Sequence, residues 1–243
     1  MTNTEQEINV LLGSFDGGRL LDVATGLGGM IVWIVDAFQS YDEIIGIDTT
    51  DFSERINSDE DSVFNQDNIS FQQMDAQQMT FADASFDTVT ISNSLHHMDD
   101  PRLILAEIWR VLKPGGRVVI TEMYRDNQTE EQLTHVYMHH FWAAADSARH
   151  VTHNETYTRA ELSALVGELE IDKLTLLDYA NLESDPKDSK LIDMLNSRLD
   201  MYKERLQDLP NKDELLKQLD MCRQRLVDTG FHGATSLIVV GQK

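Results

Sequence analysis

The sequence predicts an α/β protein built on a doubly wound, seven-stranded, mostly parallel sheet, and three observations carry that reading. An apolar run, Leu20-Leu21-Asp22-Val23, breaks into the glycine loop Ala24-Thr25-Gly26-Leu27-Gly28-Gly29. A second apolar run, Ile44-Ile45-Gly46-Ile47, ends in Asp48, twenty residues after Gly28. Strand-like runs then alternate with helix-like segments through five strands, a pattern that brings right-handed crossovers and largely parallel pairing. A strand, a tight Gly turn, a helix and a second strand with a terminal acid is how such a domain grips a ribose.

The elements follow in order. Residues 4–15 read as a short lead-in helix and 19–23 as the first strand. Residues 29–38 are apolar on nearly every side, as expected of a helix buried against a sheet. Strands follow at 43–47, 69–74 and 86–92, with a polar, acid-rich stretch at 51–68 expected to be an exposed helix and loop. Asp99-Asp100-Pro101 opens a helix, since either acid can cap it and Pro suits the first turn. Leu105, Ile108, Trp109 and Leu112 recur on one face of that helix. Lys113-Pro114-Gly115-Gly116 is expected to stop it through a positive-φ glycine, before a fifth strand at 117–122.

Two capping boxes, Thr129-Glu130-Glu131-Gln132 and Thr158-Arg159-Ala160-Glu161, open further helices running to about residues 148 and 168. A sixth strand is expected at 173–179. Residues 183–229 then keep helical spacing (Leu195, Leu199, Tyr202, then Leu215, Leu219, Cys222), broken at Pro210-Asn211, so they read as an αα-hairpin before a seventh strand at 235–240. The expected organisation is one domain over 1–243. It comprises a cofactor-binding core at 19–123, a helical cap over a substrate cleft at 124–170, and the hairpin insertion at 183–229, packed on the sheet edge or on a second subunit.

Composition narrows the function. The chain has 243 residues and a formal charge of −22. Residues 1–100 hold 19 acids against two bases, Arg19 and Arg55. Such a surface repels nucleic acid, whose binding needs phosphate neutralisation by Lys and Arg, and disfavours anionic membranes. No run approaches the roughly 18 apolar residues of a membrane span. No signal peptide is visible, and the single cysteine, Cys222, rules out an internal disulfide, so a cytoplasmic location is expected.

The glycine loop admits two cofactors. A dinucleotide fingerprint needs a third glycine three positions after Gly28, and that position is Ile31. Asp22, just before the turn, adds negative charge where a pyrophosphate would sit. S-adenosylmethionine has no phosphate and carries a sulfonium and an ammonium group, so an acid beside the loop suits it. A βα turn that binds nothing is the remaining alternative for the loop taken alone.

At this point the chain resembles class I S-adenosylmethionine-dependent methyltransferases, in the broad group that includes the ubiquinone/menaquinone-biosynthesis enzymes. The resemblance rests on 22–28, on Gly46-Ile47-Asp48, and on Asp75-Ala76 followed by Ser85-Phe86-Asp87-Thr88-Val89. It continues through Ser92-Asn93-Ser94-Leu95-His96-His97 and Leu112-Lys113-Pro114-Gly115-Gly116-Arg117. It implies S-adenosyl-L-methionine held by Asp22, Ala24, Thr25, Gly26, Gly28, Asp48, Thr49, Asp75, Ala76 and Asn93. In this reading the 24–28 loop passes under the methionine part, Asp48 accepts from both ribose hydroxyls, and Asp75 accepts from the adenine amino group. Ala76 faces the ring, and Asn93 lines the methionine side through its backbone. Ala24 stands where the family usually has Gly, which is harmless if its φ is negative.

The methyl acceptor is expected to be a small molecule. Seven of the eight histidines fall between residues 96 and 153. His97 and His140 are the candidate bases, and Tyr124, Tyr137, Trp142 and Tyr157 are expected to line the substrate cleft. His135 and His139 share a helix face and, with His150 and His153, have the donor chemistry for a transition metal. Surface or cleft histidines are the default there, so no metal is expected. A homodimer through the hairpin and a catalytically silent cofactor-binding module are the alternatives kept open.

Overall fold

The computed structural model describes residues 3–52 and 63–243. Seven strands form one sheet: β1 (Arg19–Val23), β2 (Glu43–Asp48), β3 (Ile69–Gln73), β4 (Phe86–Ser92), β5 (Leu112–Met123), β6 (Asp172–Tyr179) and β7 (Ser236–Gln242). Their order is β3-β2-β1-β4-β5-β7-β6. The pairings from β3 to β5 are parallel, and β7 runs antiparallel to both β5 and β6. The helices are α1 (Asn3–Leu12), α2 (Gly29–Ala37), α3 (Pro101–Val111), α4 (Glu130–Ser147), α5 (Arg159–Gly167), α6 (Ser189–Arg205) and α7 (Lys212–Asp228).

Central strands buried on both faces explain the near-continuous apolar runs. One apolar layer joins Leu21, Ile45, Ile91 and Ile120 to Ile104 and Ile108 of α3 and Leu162 and Leu165 of α5. The other joins Leu20, Ile44 and Val119 to Leu12 of α1 and Ile31 and Ile34 of α2. Asp100 caps α3 by accepting from the Arg102 amide at 3.0 Å. Both capping boxes form, each with the reciprocal bond from its N3 side chain.

Two local expectations change, and a third lies largely outside the described residues. Of the polar stretch at 51–68, residues 53–62 lie outside the described residues, and Val63–Asn65 form a 3-10 turn. Lys113–Gly116 does not separate a helix from a strand. Leu112 and Arg117 both pair with β4, so the four residues between them are looped out as a bulge within β5. Gly115 there takes φ +76° and its amide bonds the Lys243 carbonyl at 2.7 Å.

The hairpin also packs elsewhere than expected. Its stripe of Leu195, Leu199, Leu215, Leu219 and Cys222 meets Met138, Phe141, Trp142 and Ala145 of α4. It therefore covers the back of the cap helix within the chain rather than a sheet edge. Arg225 ties the two together, donating to the Glu130 carbonyl at 2.6 Å. No described helix is long and apolar enough to cross a membrane.

Candidate functional site

Strand order reverses between β1 and β4, and the crevice at the carboxyl ends of the strands beside such a point is where open α/β sheets bind ligands. A cavity of about 790 Å3 lies there. This is within the range of about 300–1,000 Å3 typical of small-molecule sites. Its walls come from the ends of β1 to β4: Asp22, Thr25 and Gly26; Asp48 and Thr49; Asp75 and Ala76; Asn93 and Ser94.

The loop after β1 is held by an alternation of left-handed residues. Ala24, Gly26 and Gly28 have φ of +54°, +52° and +80°. The condition placed on Ala24 therefore fails: its methyl group sits in a conformation that costs an L-residue about 1–2 kcal/mol. Gly28 is required for a different reason than ligand contact. A Cβ there would lie 2.5 Å from the Phe64 ring, and Gly28 caps α2 rather than lining the cavity. Gly29 and Met30, next in the chain, do line it.

Asp48 holds the loop. Its Oδ2 accepts from the Gly26 amide at 3.0 Å and its Oδ1 from the Thr50 amide at 2.9 Å. Each oxygen keeps a second lone pair for a diol above it. Asp75 accepts from the Gln77 amide at 2.9 Å, and Ala76 is buried beside it against the cavity. Asn93 has φ +44°, and its Oδ1 accepts from the Met123 amide at 3.1 Å. Its side chain is turned toward β5.

Asp22 is the most unusual group. It is 1% exposed, accepts from Thr90 Oγ1 at 2.7 Å, and its second oxygen, Oδ2, is buried without a hydrogen-bond partner among the described residues. Burial pushes its carboxyl up to about 6, partly offset by hydrogen bonding from hydroxyls. A buried, half-satisfied carboxylate on a cavity wall fits a cation and misfits a phosphate. The residues present thus suit S-adenosylmethionine better than a dinucleotide.

A second cavity of about 320 Å3 shares Gly29, Met30, Ser92 and Asn93 with the first. Ile8 of α1, Trp33, Tyr179 and Ile238 form its apolar walls. No lysine or arginine lines either cavity among the described residues. This second space was not legible in the sequence, because α1, β6 and β7 meet there only through the sheet order.

The aromatic cleft expected from the sequence is not assembled. Tyr124 is buried under Asp178, which together with burial pushes its hydroxyl up to about 12. Tyr137 is exposed beneath Arg225, and Trp142 is packed in the hairpin core with Arg198 over its ring at 4.2 Å. Tyr157 donates to the Leu95 carbonyl at 3.3 Å. None of the four lines either cavity: α4 turns Tyr137 and Trp142 toward the hairpin, while Tyr124 and Tyr157 are held by Asp178 and the Leu95 carbonyl. His140 also points away: its Nε2 meets Thr156 Oγ1 at 3.1 Å, outside both cavities. His97 does line the larger cavity, where its partly enclosed position, with His96 and His153 beside it, holds its imidazole below the usual histidine range.

The histidines regroup. His135 accepts from the Ala234 amide at 2.9 Å and stacks near Phe231, away from the others. His150 occupies an exposed left-handed turn. Instead, ligand atoms of His96, His97, His139 and His153 all lie within 4.8 Å of one another. Sequence reading missed Glu122, a buried carboxylate on β5 that accepts from the Leu95 amide at 2.8 Å and meets His96 Nδ1 at 2.7 Å. An acid at the end of an otherwise apolar strand was the available signal.

Comparison with known proteins agrees with this geometry. Residues 21–120 match a family model described as a methyltransferase domain. An O-methyltransferase of Aspergillus nomiae is 38% identical over 122 residues, 50% of this chain and 53% of that protein. A demethylmenaquinone methyltransferase of Porphyromonas gingivalis is 36% identical over 116 residues, 47% of each. The chain thus spans about half the length of the curated relatives it matches. Phosphoethanolamine N-methyltransferase 2 of Haemonchus contortus, solved with S-adenosyl-L-methionine, shares the fold at TM-score 0.57 and 19% identity. That likeness covers 99% of this chain and 52% of that one. Residues 21–120 are a methyltransferase domain, and the chain is a relative of the class I S-adenosylmethionine-dependent methyltransferases, with ubiquinone/menaquinone-type enzymes among its kin.

Proposed function

We propose that this chain transfers a methyl group from S-adenosyl-L-methionine to a small-molecule acceptor. The observation that carries the reading is Asp22, a buried carboxylate with an unpartnered oxygen on the wall of a cavity that Asp48 and Asp75 also line. Asp22 would face the cationic methionine end, Asp48 would take the ribose hydroxyls, and Asp75 with Ala76 would hold the adenine. When bound, the cofactor supplies a methyl group already activated by its sulfonium. The chain's task is then alignment, which contributes about 7–11 kcal/mol in favourable cases.

The acceptor fits the second cavity, across Gly29, Met30 and Asn93 from the first. Its size and its walls of Trp33, Ile8, Tyr179 and Ile238 suit a small, largely apolar molecule. Among the described residues neither wall carries a basic side chain, which argues against a phosphorylated acceptor. The alternative of a silent cofactor-binding module has no observation of its own in its favour. Isothermal titration with S-adenosyl-L-methionine and with its demethylated product tests the cofactor assignment. Methyl-transfer assays over a panel of small aromatic and aliphatic acceptors test the activity. Trp33→Ala is expected to raise KM for the acceptor and leave cofactor affinity within threefold. Tight cofactor binding with no turnover on any acceptor would favour the silent module.

A further inference from the structure

Of the four clustered histidines only His97 lines the larger cavity, and the three buried ones reach neither cavity. His96 follows β4, His139 lies on α4, and His153 lies in the segment between α4 and α5. Their Nε2 atoms converge: His96 to His139 is 3.1 Å and His139 to His153 is 3.4 Å. Imidazoles bound tetrahedrally to a metal at 2.0–2.1 Å hold their nitrogens about 3.3–3.4 Å apart. All three side chains are buried, while His97 is exposed on the cavity side with its ring 4.1 Å from that of His153.

The far nitrogens settle which way the lone pairs face. His96 Nδ1 meets Glu122 Oε1 at 2.7 Å, and His153 Nδ1 meets Asp146 Oδ2 at 2.9 Å. A carboxylate on Nδ1 holds the proton there and leaves Nε2 as a bare lone pair pointing inward. Asp146 is itself fixed by the Tyr202 hydroxyl of the hairpin at 2.9 Å. His139 cannot satisfy both neighbours. A proton on its Nε2 serves His96 or His153, not both. A proton on its Nδ1 has no partner, because that atom is buried and unbonded among the described residues. A cation at the centre takes all three lone pairs at once and replaces the frustrated contacts between the three Nε2 atoms, leaving only the His139 Nδ1–H without a partner among the described residues.

We propose that His96, His139 and His153, with His97 as the fourth ligand from the cavity side, form a binding site for a divalent transition metal of the zinc class. Glu122 and Asp146 orient two of the ligands from outside. The ligands come from the core, the cap helix and the segment after it, so the metal would pin the cap against the sheet beside the cavity. The site is independent of the cofactor reading.

The test uses full-length protein without a histidine tag, stripped by chelator and titrated with Co2+, then with Zn2+. One Co2+ per chain, with the intense visible absorption of a tetrahedral site and displacement by Zn2+, is the expected result, together with a raised melting temperature. His139→Ala is expected to abolish binding. Glu122→Gln, which keeps volume and most of the packing, is expected to weaken affinity about 10–100-fold, as loss of an outer carboxylate does. His97→Ala should keep the stoichiometry and change the spectrum. Circular dichroism and cooperative thermal unfolding show whether each variant is folded. Absence of a stoichiometric Co2+ spectrum in folded wild-type protein, or unchanged binding in folded His139→Ala, overturns the site.

Discussion

The loops after β1 to β4 and the histidine cluster lie side by side, yet they are built in opposite ways. The loops take each polar group from within a few residues of a strand end, and they carry conflict: a half-satisfied buried acid at Asp22 and a left-handed alanine at Ala24. The cluster takes its groups from the turn after β4, β5, α4 and the following segment, and its outer hydrogen bonds are well made, His96 donating to Glu122 and both His153 and Tyr202 donating to Asp146. The first region is locally strained and keeps an acid on the cavity wall with a free lone pair. The second fixes one part of the fold on another.

The largest expected effect breaks the first region. Asp48→Ala removes the acceptor of the Gly26 and Thr50 amides and both proposed ribose bonds. Bonds to a charged group contribute about 1.5–3 kcal/mol each, so affinity for S-adenosylhomocysteine is expected to fall about 100–10,000-fold by calorimetry. Unchanged affinity would remove Asp48 from the site.

The second region answers to packing. Leu219, fully buried between the hairpin and α4, is expected to cost about 2–5 kcal/mol when changed to Ala. Its chemical-denaturation midpoint should not depend on protein concentration, because the covered face lies within one chain. A concentration-dependent midpoint would return the hairpin to the role of a dimer interface.

Between these lies a pH effect on Asp22. Its folded carboxyl titrates at about 6, above the unfolded value of about 3.9, so the folded state binds the proton more readily. The ionised group therefore destabilises the ligand-free protein by about 3 kcal/mol above pH 6, and that penalty fades as pH falls from 6 toward 4. Asp22→Asn should be more stable than wild type at pH 8, with the gap closing toward pH 4. The same variant should bind the cationic cofactor at least tenfold more weakly. A gap that is constant with pH would mean that Asp22 titrates normally.

The contrast also explains what could be read from the sequence. Asp48 was legible because a strand's end fixes where the next residue stands, whereas Asp75 and Asn93 rested on the resemblance to methyltransferase motifs. The bulge at Lys113–Gly116 was not, because Gly115 signals a positive φ without saying whether a helix or a strand continues past it. The i, i+4 spacing of His135 and His139 suggested a pair, yet α4 turns His135 toward Ala234 and His139 toward His96 and His153. Tyr137 and Trp142 read as cleft aromatics only while the hairpin's partner was unknown; once it covers α4, they belong to that interface.

The smallest effect sharpens the comparison most, because it separates strain from ligand contact within one loop. Ala24 at φ +54° costs about 1–2 kcal/mol, and glycine relieves that cost. Glycine also adds about 0.4–1 kcal/mol of freedom to the unfolded chain. The net expectation for Ala24→Gly is a gain of about 0.5–1 kcal/mol in denaturation midpoint analysis, with cofactor affinity within threefold of wild type. A gain in stability with unchanged affinity means the strain is a local cost carried by the loop and not used in binding. A gain in stability with weaker binding means the rigid left-handed alanine holds the loop ready for its ligand. A loss of stability would show that the half-buried methyl group packs well enough to outweigh its backbone.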